Sequence, residues 1–452
     1  MTCINKPSSN RRKFFTTVVG GVLGTGAIKI GRGQSQARPT TAGPQACQIG
    51  WTLGPLTIRK VESFIIRDPS APAKSEDYFV QMNPLGATTG GVGLWDRLDM
   101  ATPAGRPYAF QSLLVKITTD QGIIGWGEPA AAMTPRVHQT IITDLFTPVL
   151  IGQDARNVEP LFERMYSTMR LRGFSAGYWK EAIAGIDIAL WDILGKATNT
   201  PIWGLLGGKF RDKIPHYTGV GGASIQQLKE NAQKLLEAGY TVMKMSLSKY
   251  AGTHDVERVA AVSDVLKGKG KVLVDSLGGY KLSEAIRVGR RLAELGNVDW
   301  WEDALLPEDS DGYARLAHTL DVPICAGEQY HNRFQFRDLF RAGAVEVINP
   351  DIGRLGITEG RRVANMADTY DILWSPHMSN QSILGRVASM HLAAATANFV
   401  IMEGGGSYQG PGGNRLLKEP LQCNGALVDV PAKPGLGVEF DEGELAKVVV
   451  SK

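Results

Sequence analysis

Apolar and polar residues change their spacing along this chain, and the change divides it. From Thr57 the alternation is strand-like, carried by Ile58, Val61, Phe64 and Ile66 and resumed over 112–118 and 122–128. Between these runs lies a Gly-rich stretch, 83–99, broken at Asn83-Pro84 and Gly90-Gly91. It is too long for a hairpin loop and is expected to act as a lid. Helical spacing follows over 137–150 and 158–170, so residues 57–180 read as a small α+β domain.

Beyond Lys180 the pattern is different. Ala182-Ile183-Ala184-Gly185-Ile186-Asp187-Ile188-Ala189-Leu190-Trp191 is a strongly apolar helix that stops at Gly195. Short β-branched strands then alternate with amphipathic helices. Strands are expected at 214–220, 242–247, 271–277, 299–303, 323–328, 345–352, 371–377 and 398–403, with helices such as 224–238, 255–266 and 283–295 between them. Eight strands with intervening helices over 181–403 predict a parallel barrel. A doubly wound sheet is the competing fold, but no Gly-rich phosphate loop follows the first strand. The final segment, 404–452, is rich in Gly and Pro and is expected to return to the first domain.

In a parallel barrel, chemistry gathers where the strands end at the C-terminal face. The expected strand ends carry a polar set on otherwise apolar segments: Lys244 and Ser246, Asp275, Glu302-Asp303, Glu328, Asp351, His377 and Glu403. Any one acid here is most simply a helix cap or a partner for a nearby lysine. Three acids on successive strands, at intervals of 27 and 26 residues, repel one another unless a cation binds them. Hard oxygen donors of this kind suit Mg²⁺, with Asp275, Glu302 (or its neighbour Asp303) and Glu328 as ligands. Asp351 and His377 end adjacent strands about 4.8 Å apart, close enough for the carboxylate to orient the imidazole as a general base.

With these residues in place the chain resembles the mandelate racemase/muconate lactonizing branch of the enolase superfamily from about Thr57 to its end. Asp275, Glu302 and Glu328 match that superfamily's three Mg²⁺ ligands, and Asp351 with His377 matches its His/Asp dyad. Glu403 matches an acid on the last strand that hydrogen-bonds the substrate carboxylate once protonated. Gly125-Trp126-Gly127-Glu128, Leu205-Leu206-Gly207-Gly208-Lys209 and Ala326-Gly327-Glu328 are also similar. The resemblance implies a modified (β/α)7β TIM-type barrel under an α+β capping domain, Mg²⁺ dependence and a homo-oligomer. It also selects Glu302 over Asp303.

Two positions depart from that pattern. Many members carry Lys-x-Lys on the second barrel strand, whereas here Lys244 is followed by Met245-Ser246, and a serine hydroxyl is too weak to remove an α-proton unaided. Leu277 stands where a polar residue often follows the first ligand by two. One competent base, His377, favours a one-base reaction: α-proton abstraction next to a carboxylate, then syn loss of a β-hydroxyl. That is the chemistry of an acid-sugar dehydratase, a hydro-lyase, acting on a small carboxylate. Catalytic roles are expected for His377, Asp351, Lys244 and Glu403, and substrate contacts from Ser246, His331, Trp95 and Arg97. His331 and His216 also admit purely structural roles. The alternatives are a racemase or epimerase using Lys244 as second base, a cycloisomerase or dipeptide epimerase, which usually use lysines on strands two and six where strand six here offers Asp351, and an inactive periplasmic binding protein.

Composition changes this picture little. The chain has 452 residues, 43% hydrophobic and 21% charged, enough for a large core, and a net charge of +4 that points to no nucleic-acid partner. No run approaches the roughly 20 apolar residues of a membrane span. Asn10-Arg11-Arg12-Lys13-Phe14-Phe15 ahead of a mildly apolar stretch and Ser35-Gln36-Ala37 read as a twin-arginine export signal over 1–37, followed by a linker, 38–56, and imply a periplasmic enzyme. Cys3, Cys47, Cys325 and Cys423 form no CxxC or Cys/His cluster, and Cys325 is expected in the core.

Overall fold

The computed structural model describes residues 54–67, 110–132, 134–248, 255–378, 382–405, 407–410 and 412–451. These all belong to one compact unit, Leu53–Lys452. The expected export signal, the 83–99 loop and with it Trp95 and Arg97 lie outside the described residues. No helix among the described residues is long and apolar enough to cross a membrane.

The strands, in chain order, begin with β1 (Ile58–Arg67), β2 (Gln111–Thr119) and β3 (Ile124–Gly127). Next come β4 (Lys213–Pro215), β5 (Thr218–Gly219), β6 (Val242–Ser246), β7 (Lys271–Asp275) and β8 (Val298–Glu302). They end with β9 (Ile324–Ala326), β10 (Val347–Ile348), β11 (Leu373–Trp374), β12 (Cys423–Asn424), β13 (Leu427–Asp429) and β14 (Val449–Ser451).

β1, β2 and β3 form an antiparallel sheet that β14 extends along β1, so the end of the chain returns to its first strand. This sheet packs on the Tyr178–Ala197 helix, buried around almost its whole circumference because the Ile352–Asp368 helix covers its other side. Gly125 and Gly127 in β3 permit that approach. A Cβ at either would run into the backbone carbonyl of Ala189 or Gly185.

The parallel sheet runs β11-β10-β9-β8-β7-β6-β5. Segment 398–403 closes it, since Phe399 bridges to Trp374 and Met402 to His216, both parallel. The result is an eight-stranded barrel with seven strand-to-helix connections, a modified (β/α)7β fold. The alternation along each strand sorts its side chains. Trp300 joins Tyr217, Leu273, Cys325, Val347 and Ile401 inside the barrel, while neighbouring Trp301 packs outward under the helices. These six interior side chains form a plug beneath the C-terminal rim.

Candidate functional site

The interior alternation that places Leu273 and Trp300 in the plug also places Asp275 and Glu302 directly above it. The two acids are paired across β7 and β8. Glu328 follows β9, after Gly327, whose φ of +132° turns the chain there. One carboxylate oxygen from each of Asp275, Glu302 and Glu328 lies within 4.8 Å of the others, and all three residues are buried. Asp303 stays apart from the trio, its Oδ2 accepting from Gln329 Nε2 at 2.6 Å.

Lys244 Nζ enters this group from β6, 3.0 Å from Glu302 Oε1, 3.1 Å from Asp275 Oδ2 and 3.0 Å from Glu403 Oε1. Burial disfavours its charge, but Glu302, Glu403 and Asp275 outweigh that and hold the ammonium well above its usual range. Burial raises the Glu302 carboxyl, Lys244 opposes it, and Asp275, Glu328 and Glu403 push it further up. Lys244 and the imidazole of His377 do not balance the five carboxylates of Asp275, Glu302, Glu328, Asp351 and Glu403. The trio therefore fits a divalent cation in donor type, number and residual charge.

On the other side of the cluster, His377 Nδ1 is 2.9 Å from Asp351 Oδ2. Its Nε2 lies 3.0 Å from Glu328 Oε2 and 3.6 Å from Glu403 Oε2. Burial would depress the imidazole, yet Glu328, Glu403 and Asp351 together raise it to about 10. Asp351 Oδ1 accepts from Gly353 N at 2.7 Å and so caps the Ile352–Asp368 helix. Glu403 spans the two cations, with Oε1 to Lys244 and Oε2 accepting from Met378 N at 3.0 Å. Burial raises the Glu403 carboxyl, but Lys244 and His377 bring it below its ordinary value. It is held as a carboxylate, an acceptor rather than a donor.

The remaining candidates are dispersed. Ser246 ends β6 in register with Asp275 and is exposed. Leu277 is 48% exposed with φ +48°, and its N–H donates to Asp275 Oδ1 at 3.1 Å. His331 is buried, with Nε2 at 3.1 Å from Glu181 Oε1. Sequence reasoning missed that Glu181 also holds His138 Nε2 at 2.7 Å and Arg354 at 3.3 Å. Burial raises the Glu181 carboxyl, but these three partners hold it at about 2. Its one sequence signal is the Lys180-Glu181 pair opening an otherwise apolar helix. His216 is sealed on the barrel's outer side, donating from Nδ1 to Ile214 O and accepting the Tyr408 hydroxyl at Nε2.

Comparison with known proteins agrees with this architecture. The mandelate racemase/muconate lactonizing enzyme N-terminal domain is matched over residues 104–207, and the enolase C-terminal domain-like family over 227–444. A D-galactarolactone cycloisomerase of Agrobacterium fabrum is 31% identical over 74% of this chain and 90% of its own length. A D-galactonate dehydratase of Variovorax paradoxus is 33% identical over 73% of this chain and 89% of its own. A solved enolase-superfamily member from Agrobacterium tumefaciens superposes with a TM-score of 0.77 at 25% identity, covering 88% of this chain and all of that one. The chain thus belongs to the mandelate racemase/muconate lactonizing enzyme family and is an enzyme of the enolase superfamily.

Proposed function

We propose that this enzyme dehydrates an acid sugar, removing the proton next to a carboxylate and then the β-hydroxyl. The observation that carries the reading is a single Asp-backed imidazole beside three clustered carboxylates, with serine where a second base would stand. Similarity to a D-galactonate dehydratase supports it.

Asp275, Glu302 and Glu328 would hold Mg²⁺, which when bound supplies Lewis-acid stabilisation of charge developing on the substrate carboxylate. Lys244 Nζ donates to that carboxylate and fixes the substrate's orientation. Asp351 keeps the proton on His377 Nδ1 and leaves Nε2 facing the substrate. Glu328 and Glu403 are the charges that most favour the proton on Nε2, and a cation held by Glu328 would offset the first of them and ease the ring's role as proton acceptor. His377 Nε2 then takes the α-proton, and the C–H electrons pass into an enediolate. Re-formation of the carboxylate drives those electrons into the Cα–Cβ bond and expels the β-hydroxyl, to which His377 returns the proton, releasing water. The enol tautomerises to a 2-keto-3-deoxy acid. Burial of Asp275, Glu302 and Asp351 strengthens each of these contacts.

Epimerisation would require Lys244 as the second base. As the donor to the substrate carboxylate Lys244 is not placed to take the α-proton, and Glu403, which is not among the proposed metal ligands, holds its charge at 3.0 Å, which favours elimination. The deciding experiment is a screen of aldonic and aldaric acids for 2-keto acid formation, with Mg²⁺ and with EDTA, repeated in D₂O. Keto acid formed only with the metal supports dehydration. Deuterium incorporation with inversion and no keto product removes it in favour of epimerisation.

A further inference from the structure

Two segments of the site, the turn that carries Glu328 and the helix start that carries Asp351, meet at one buried acid outside it. Glu181 opens the Tyr178–Ala197 helix and is 4% exposed. Its Oε1 lies 3.1 Å from His331 Nε2 and 3.3 Å from Arg354 Nη1, and its Oε2 lies 2.7 Å from His138 Nε2.

Two of these contacts lead to the site by short, stiff paths. His331 stands three residues past Glu328. Between them Tyr330 N donates to Gly327 O at 3.0 Å, a closed turn with Glu328 at its second position. Tyr330 Oη donates to Pro307 O at 2.8 Å and His331 N to Gln335 Oε1 at 2.8 Å, so the turn is held at its far end. Arg354 stands three residues past Asp351, and its N–H donates to Asp351 O at 3.1 Å in the first helical turn. Lys180 Nζ donates to Leu355 O at 3.2 Å, so the Lys180-Glu181 pair grips two successive residues of that turn. The third contact leads away from the site. His138 belongs to the Pro135–Thr140 helix of the capping domain, with Nδ1 2.9 Å from Thr134 O, and it fixes the outer oxygen of Glu181.

The separation that this bracing governs is the 3.0 Å between Glu328 Oε2 and His377 Nε2, where a proposed metal ligand meets the proposed base. A displacement of about 1 Å at either would spoil both the ligand set and the line of proton transfer.

We propose that Glu181 is a positioning residue for the reaction, setting Glu328 against the Asp351–His377 dyad by holding His331 and Arg354 on one carboxylate oxygen. This rests on the metal and base assignments above.

The test uses the full-length protein, with Mg²⁺ affinity read by calorimetric titration and kcat and KM read at saturating Mg²⁺ with an acid sugar that the wild type turns over. Glu181→Gln, which keeps the length and removes the charge, is expected to weaken Mg²⁺ binding about 10–100-fold. Its kcat should fall at least about 10-fold with KM little changed. The contacts should also separate. His331→Phe should carry the loss of Mg²⁺ affinity, whereas Arg354→Met should lower kcat and keep that affinity within about threefold of the wild type. His138→Gln, whose amide still donates to Oε2, should leave both within about threefold whatever it costs in thermal midpoint. A purely structural Glu181 would lower the midpoint without this split. Wild-type Mg²⁺ affinity and kcat in Glu181→Gln, or equal losses in all three partner variants, overturn the proposal. Should Glu181→Gln fail to fold, His331→Phe and Arg354→Met decide by the same split. Turnover of no acid sugar by the wild type would defeat the dehydratase reading alone, and Glu181 is then judged on Mg²⁺. Affinity lost in Glu181→Gln and His331→Phe but kept in His138→Gln supports the role, and undiminished affinity overturns it. A wild type that binds no Mg²⁺ removes the metal site and the role of Glu181 together.

Discussion

Asp351 and His377 are joined twice, once by a lone parallel backbone bridge and again by their side chains at 2.9 Å. Asp351 also caps a helix with its second oxygen. The ring orientation is therefore fixed by a bridge just beyond two barrel strands and by a helix start, which gives a proposed base the rigidity it needs.

That double duty separates two effects of one substitution. Asn caps helices about as well as Asp, so Asp351→Asn should keep the bond to Gly353 N and change stability by less than about 1 kcal/mol. The amide cannot stabilise an imidazolium, so kcat is expected to fall by roughly 10³–10⁴. His377→Asn should abolish turnover while leaving Mg²⁺ binding intact. Steady-state kinetics with melting curves read both. Retained turnover in His377→Asn would remove the base assignment.

Asp275, Glu302 and Glu328 should act as one ligand set. With Mg²⁺ at 100 times its Kd, the wild type should gain about 2.7 kcal/mol of stability. Asp275→Asn, Glu302→Gln and Glu328→Gln should each lose most of that increment. Glu302→Gln should also be more stable than the wild type in EDTA, because one of the carboxyls crowding the site has been neutralised. Denaturation series with Mg²⁺ and with EDTA check this, and an undiminished Mg²⁺ increment in all three variants would refute the set.

The barrel was legible because parallel strands buried on both faces leave dense β-branched runs, as in Lys271–Asp275, against which an acid at the end is conspicuous. The partnership of β14 with β1 was less so. An expectation that the chain's end returns to its beginning carries no register, and Ile65 pairs with Ser451. Glu181 was invisible for a similar reason, since its histidines stand 43 and 150 residues away. The charge on Glu403 depends on Lys244 and His377 arriving from different strands, which no local pattern encodes. Nothing in a leucine announces a left-handed backbone at Leu277, and Arg386 carries no local sign of whether its helical position faces solvent or core.

Leu277 offers a stability test of that hidden strain. Its φ of +48° disfavours a leucine by about 1–2 kcal/mol, whereas Asn tolerates the region, and with 48% of the side chain exposed little apolar burial is lost. Leu277→Asn is expected to stabilise by up to about 1 kcal/mol in urea denaturation. A loss of more than about 1 kcal/mol would show that the leucine makes contacts outweighing the strain.

Acid sensitivity should begin well above the range in which carboxylates titrate. Burial pushes both His216 and His391 down to about 4 from an ordinary 6.5, and their bonds place them as neutral rings. Above pH 6.5 neither ring is protonated, folded or unfolded, and they make no pH-dependent contribution. As pH falls from 6.5 toward 4 the unfolded chain takes up protons that the folded one refuses, so each ring withdraws stability, to about 3 kcal/mol at the bottom of that window. Glu181, held at about 2 against an ordinary 4.5, contributes stability above pH 4.5 that is lost only as pH falls through 2. The histidine loss therefore precedes the carboxylate loss. His216→Asn should lower stability at pH 8, since the bond to Ile214 O or that to Tyr408 is weakened, yet should reduce the slope between pH 6.5 and 4 by up to half. Urea denaturation at half-unit intervals from pH 8 to 4 measures that slope. Equal slopes in the wild type and the variant would mean that the His216 ring is already charged in the folded protein, and would contradict its place as an acceptor for the Tyr408 hydroxyl.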